Sequence, residues 1–144
     1  MVSKNKNSPH ATTPSSNQLI VVIVVTGGLP SSTAGTSVEA LNADGTRLCR
    51  LPSLPKYRRQ HSMDGSMICG GYDSHAQKSC IKFQYGAWKT MPFSLQQIRR
   101  YHVSWTRSDG KIRLLGGSES LSTSELVSET GSVAGFPLKY DTKY

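Results

Sequence analysis

The sequence predicts an all-β chain built from three successive four-stranded antiparallel units. Three observations predict it. Only 36% of the 144 residues are hydrophobic, while 13 glycines and 7 prolines supply many turns, a balance that suits short strands and poorly suits a helix bundle. An apolar run closing on two glycines recurs three times, as Ile23-Val24-Val25-Thr26-Gly27-Gly28, Met67-Ile68-Cys69-Gly70-Gly71 and Ile112-Arg113-Leu114-Leu115-Gly116-Gly117. The spacings are 43 and then 46 residues, and other landmarks move with them, which is the mark of a structural repeat.

Before the first unit, residues 1–18 are rich in Ser, Thr, Asn and Pro and show no hydrophobic period. Such a stretch buries too little apolar surface to offset its ordering entropy, so a disordered polar leader is expected. The run Leu19 to Val25 follows, with Lys4 and Lys6 upstream. A signal-peptide core would have a shorter polar leader and a small-residue cleavage site after it, so a buried strand is the expectation. No run approaches the roughly 20 apolar residues that cross a bilayer.

Each unit is expected to hold four strands, a to d. Strand a opens at His61 or His102, after Arg58-Arg59-Gln60 and Arg99-Arg100-Tyr101. The Asp64-Gly65 and Asp109-Gly110 turns lead into strand b, as Asp-Gly favours tight hairpins. Strand b is a continuous apolar run, as in strands buried on both faces, and ends at the double glycine, where a Cβ would obstruct close approach of backbones. Strand c is centred on Glu39, Cys80 or Glu125, each six residues before Gly45, Gly86 or Gly131. Strand d then runs through Leu48 to Pro52, Trp88 to Pro92 and Val133 to Pro137. The unit boundaries fall at about 19–57, 58–98 and 99–144.

Four-stranded units of this length, with a double glycine after strand b, an apolar residue and a Pro around strand d, and Arg-x-x-His opening the next unit, resemble Kelch repeats. The resemblance covers residues 19–144 and is strongest from His61 to Pro92. Leu48 and Val133 depart from it where the second unit has Trp88, and the first unit has no recognisable strand a. The resemblance implies a partial β-propeller of three blades. Three blades do not close a ring, since closed propellers have about four to eight. The chain stops where strand a of a fourth blade is due, so the sequence reads as a fragment whose remaining propeller blades come from a longer chain.

The function implied is a protein–protein interaction module of Kelch type, binding a peptide or protein and catalysing nothing. Loops on a rigid scaffold carry such contacts. They are expected at residues 72–78 and 118–122 and at the links near Arg58 and Arg99, with Arg58, Arg59, Arg99, Arg100, Tyr72 and His75 as candidate contacts. Arginine holds carboxylates and phosphates bidentately, so an acidic or phosphorylated peptide is the natural ligand. The competing reading of Arg58 and Arg99 is a structural arginine that pairs within its own unit. Two further readings are a fragment of a secreted propeller enzyme related to the copper (galactose-type) oxidases, and a non-functional truncation.

Chemistry-bearing patterns are few. Copper oxidation needs convergent His and Tyr ligands, but His61 and His102 occupy one repeat position, which points to structure, and His10 and His75 stand apart. No nucleophile elbow or phosphate-cradling loop is present, so no metal and no cofactor are expected. The net charge is +8 and the pI about 9.6, but the few aromatics are not interleaved with the basic residues, so no nucleic acid is expected as partner. The three cysteines, Cys49, Cys69 and Cys80, form no C-x-x-C pair and leave the compartment open. If Gly70 faces Ser79 across the b–c hairpin, Cys69 faces Cys80 directly, within reach of a disulfide.

Overall fold

The computed structural model describes residues 22–27, 34–42, 44–119 and 121–138. The expected leader at 1–18, the start of the first apolar run and Gly28 lie outside the described residues.

Among the described residues the chain is a succession of short antiparallel strands with one 3-10 turn at Ala34–Thr36. The first sheet contains β1 (Val22–Thr26), β2 (Val38–Asn42) and β3 (Arg47–Arg50). The second contains β4 (Ser62–Asp64), β5 (Met67–Cys69), β6 (Ser79–Gln84) and β7 (Ala87–Ser94). The third contains β8 (Val103–Thr106), β9 (Ile112–Leu115), β10 (Ser124–Ser128) and β11 (Gly131–Ala134). Each sheet is a meander in which sequential strands are neighbours. The expected a strands start one residue after His61 and His102, and the first sheet lacks a counterpart among the described residues.

Hydrophobic burial follows the period of two in β2 and β9. Val38 and Leu54 of the first unit pack with Ile68 and Ile81 of the second. On the opposite face of the second sheet, Met67, Cys69, Cys80 and Leu95 pack with Ile112, Leu114 and Val127 of the third. The second sheet is thus sandwiched, and all three residues of β5 are buried, as its unbroken apolar sequence requires. Full burial of each such side chain contributes about 1.5–3 kcal/mol. The hydrophobic core residues of the third sheet, Ile112, Leu114 and Val127, lie on the face toward the second. Val103, Trp105 and Val133 on its other face are 46, 42 and 60% exposed.

The register corrects two sequence landmarks by one residue. Glu39 opposes Val25 and Glu125 opposes Leu114, and the matching position in the second sheet, opposite Ile68, is Ile81 and not Cys80. Likewise Ser132, not Val133, matches Trp88. The cause is turn chemistry. Tyr85 and Gly86 both have positive φ, 51° and 78°, the signature of a type I′ hairpin. In the third sheet Glu129 and Thr130 make the turn, and Gly131 is already the first residue of β11. Aligning the two glycines therefore shifts everything between them. Cys69 nevertheless opposes Cys80, with Cα atoms 4.1 Å apart, and the two sulfurs are bonded. Cys49 is exposed and free.

Candidate functional site

The links into β4 and β8, the b–c loops and the double glycines meet at one end of the sheet stack. The glycines explain the meeting. Gly70 and Gly71 have φ of 63° and 98°, a conformation only glycine adopts at no steric cost. A Cβ on Gly70 would lie 2.6 Å from the Arg99 carbonyl oxygen and 2.9 Å from His102 Cε1 of the next unit. A Cβ on Gly71 would lie 2.9 Å from the Arg59 carbonyl oxygen and from His61 Cβ of its own unit. The double glycine is therefore the gap into which two successive Arg-Arg-x-His segments fit.

Arg58 and Arg99 do not stand on the surface of this end, which corrects the expectation of exposed contacts there. They are 6 and 0% exposed. Arg58 Nη1 donates to the carbonyls of Gly70 (2.5 Å) and Ser79 (2.9 Å), and Nη2 donates to Ser79 Oγ (2.7 Å). Arg99 repeats the arrangement one unit on. Its Nη1 donates to Gly116 O (2.5 Å) and Thr123 O (3.3 Å), its Nη2 to Thr123 Oγ1 (2.8 Å) and its Nε to Glu125 Oε1 (2.9 Å). The long multi-donor side chain fastens the loop preceding strand a to the b–c hairpin and pairs carbonyls that burial would otherwise leave without a donor. Burial lowers the pKa of Arg58 and nearby Asp73 opposes that shift.

The histidines are spent in the same way. His61 Nε2 is hydrogen-bonded to Thr26 Oγ1 and His102 Nε2 to Ser62 Oγ, both at 2.6 Å. Each ties its strand to the preceding unit. Burial, reinforced by Arg58, lowers His61 to a pKa of about 4. Burial, reinforced by Arg99 and His61, lowers His102 to about 4.

Arg59, Arg100 and Tyr72 do come together. The guanidinium carbons of Arg59 and Arg100 each lie 5.0 Å from the Tyr72 ring centroid, within cation–π range. Tyr72 is held by backbone bonds to Arg59 in both directions. Arg100 also pairs with Glu119 (2.7 Å) and donates to Ser118 Oγ (2.9 Å). Arg59 Nε is buried without a partner among the described residues. Gln60 and Tyr101, the third residues of the two Arg-Arg-x-His segments, have φ of 56° and 55° and are joined by Gln60 Nε2 donating to Tyr101 Oη at 2.6 Å. Such strain in non-glycine residues persists only where the surroundings enforce it.

His75 lies at the exposed tip of the b–c loop, 3.5 Å from Asp73. Asp73 organises that loop by accepting from the backbone N–H of Ser74 and His75 and from Gln77 Nε2. Partial burial raises the Asp73 carboxyl, but the hydrogen bonds from His75 and Ser74 outweigh it and hold the group below the usual carboxylate range. A cleft of about 200 Å³ opens beside this loop, between Asp73 and Gln77 on one wall and Pro55, Lys56 and Tyr57 on the other.

Sequence reasoning missed Gln60, Tyr101, Asp73 and Glu125. Glu125 was visible only as a strand landmark, since nothing in a sequence announces which buried acid an arginine will meet. The signal for Gln60 and Tyr101 was their shared place before the histidines. Among the described residues no cluster of His, Cys, Asp and Glu could hold a metal ion, and no helix is long and apolar enough to cross a membrane. No protein-family model matches the chain, and no curated protein matches its sequence.

Proposed function

We propose that the chain is a three-blade segment of a Kelch-type β-propeller that serves as a protein-interaction module and takes an acidic peptide at the end carrying Arg59, Tyr72 and Arg100. Each sheet is one blade, and the ring's other blades lie outside these residues. The serial stacking of antiparallel meanders, two of them four-stranded and the first three-stranded among the described residues, and the joint between double glycine and Arg-Arg-x-His support the repeat reading. The half-exposed apolar face of the third sheet, with Val103, Trp105 and Val133, is where a further blade would pack.

The observation that carries the function is the Tyr72 ring flanked by two guanidinium groups at 5.0 Å. An aromatic platform held between cations is suited to peptide carboxylates and backbone alike. Binding is preferred over catalysis because the Nε2 atoms of His61 and His102 are committed to hydroxyls within the stack. The test is binding of the chain to an array of acidic and neutral peptides. Reversing both charges, Arg59→Glu with Arg100→Glu, is expected to weaken acidic-peptide binding at least about tenfold. Binding that survives both reversals in a folded protein would reject this surface.

A further inference from the structure

The clefts of the second and third sheets are the same place in successive units, yet only the third carries an acidic side chain at the position of Glu125. The third-sheet cleft is lined by Gln96, Gln97, Arg99, Thr123, Glu125 and Ala134. In the second, Pro55, Lys56, Arg58, Ser79, Ile81 and Thr90 stand in the corresponding positions. The register proves the match, since Glu125 opposes Ala134 as Ile81 opposes Thr90.

In the third sheet the Glu125 carboxylate lines the cleft and takes up the donors there. Its Oε1 accepts from Arg99 Nε (2.9 Å) and the Gln97 N–H (3.0 Å), and its Oε2 from the Gln96 N–H (2.7 Å) and Ser132 Oγ (2.7 Å). In the second sheet the carboxylate is missing and its first set of donors remains. Arg58 is 6% exposed and commits both Nη atoms, but its Nε makes no hydrogen bond among the described residues. Nor does the backbone N–H of Lys56, the counterpart of Gln97. A buried guanidinium with no ion-paired acid is costly to keep. Here it borders about 200 Å³ of open cleft.

We infer that this cleft binds a carboxylate, which takes the place Glu125 holds in the next unit, with one oxygen shared between Arg58 Nε and the Lys56 N–H. Pro55 has no N–H to match Gln96, and the Trp88 indole, in the place of Ser132, donates to Pro52 O at 2.8 Å. The second oxygen therefore faces the cleft, as the end of a ligand that enters from outside requires. Lys56 adds positive charge at the wall and Asp73 opposes it, so recognition is selective for a single anionic oxygen and weak for the doubly charged phosphate. The source is an acidic side chain of a peptide. That part rests on the acidic-peptide reading above, while the carboxylate chemistry rests on the cleft alone.

The test is an NMR titration of the full chain, following the Lys56 amide and Arg58 Nε–H signals. Acetyl-glutamate amide should move both, while acetyl-glutamine amide should bind at least about tenfold more weakly, as expected when a charge-assisted hydrogen bond is lost. Acetate tests for a small free acid. A response to acetate and to the glutamate probe assigns the site to an acidic side chain, and a response to acetate alone assigns it to a free acid; both support carboxylate recognition. Asp73→Asn should tighten binding. Ile81→Glu should abolish the response and bring the Lys56 amide to its bound position without ligand. Unmoved signals in the wild-type chain, equal responses to the glutamate and glutamine probes, or a response to inorganic phosphate alone would each overturn the inference. Peptide binding that depends on Arg59 and Arg100 while these signals stay still would remove the cleft and leave the proposed function standing.

Discussion

The backbone N–H of Gly71 donates to the carbonyl of Arg99 across 2.7 Å, so the double glycine of the second sheet is fastened to the arginine pair of the third. The neighbouring Gly70 is the steric condition for that bond. Gly70→Ala would place a Cβ 2.6 Å from the same carbonyl oxygen at a φ of +63°, and should cost about 3 kcal/mol in urea unfolding. Gly65 has a similar φ of +57° but open space around it, so Gly65→Ala should cost only about 1 kcal/mol. Equal losses for the two would mean that the joint is not close-packed.

Arg99 and Glu125 form a buried ion pair, with side chains 0 and 1% exposed. Removing one partner leaves the other charged in the interior, so Arg99→Met should destabilise the chain by about 3–5 kcal/mol. Adding Glu125→Gln should recover part of that loss, because the stranded charge is then gone. A double variant no more stable than Arg99→Met alone would show that the pair is not energetically coupled.

Acid should unfold the stack through its histidines. His61 and His102 titrate near 4 in the folded chain against an ordinary value of 6.5. The unfolded chain therefore binds more protons between those values. The contribution is fully present above about pH 6.5 and is lost as the pH falls toward 4, on the order of 3 kcal/mol per histidine. Melting temperatures measured from pH 7.5 to 4 should fall steeply in that window. A His61→Gln, His102→Gln chain should show a shallower fall, and an unchanged slope would contradict the burial of both rings.

Most of the strand plan was legible in the sequence because it rests on local signals. The apolar runs, the Asp-Gly turns and the double glycines place b strands and their hairpins, and the facing of Cys69 and Cys80 follows from the hairpin they close. The one-residue offset of Glu125 and Trp88 was not legible, because Tyr85 adopts a left-handed φ that favours glycine or asparagine. The burial of Arg58 and Arg99 was equally hidden. A basic pair beside a loop reads the same whether its guanidinium groups meet solvent or the carbonyls of Gly70 and Gly116, and only the fold decides.

The disulfide ties β5 to β6 across a sequence separation of 11 residues. A loop of that size is worth about 2–3 kcal/mol in the chain-entropy account. Cys69→Ala with Cys80→Ala should lower the urea midpoint accordingly. Alkylation of the unreduced, denatured chain should label one cysteine, Cys49. Three labels would show that the pair is reduced in the isolated protein.

The claim on which the rest depends is that successive sheets are locked together where the double glycine meets the next Arg-Arg-x-His segment. Hydrogen exchange at the Gly71 amide tests it most directly, because that N–H has its partner in the neighbouring unit and not in its own sheet. If the joint holds, the amide exchanges only with global unfolding, as slowly as Ile68 in the core of β5, and Gly70→Ala accelerates it. A Gly71 amide that exchanges at the rate of an open loop, while Ile68 stays protected, would contradict the joint.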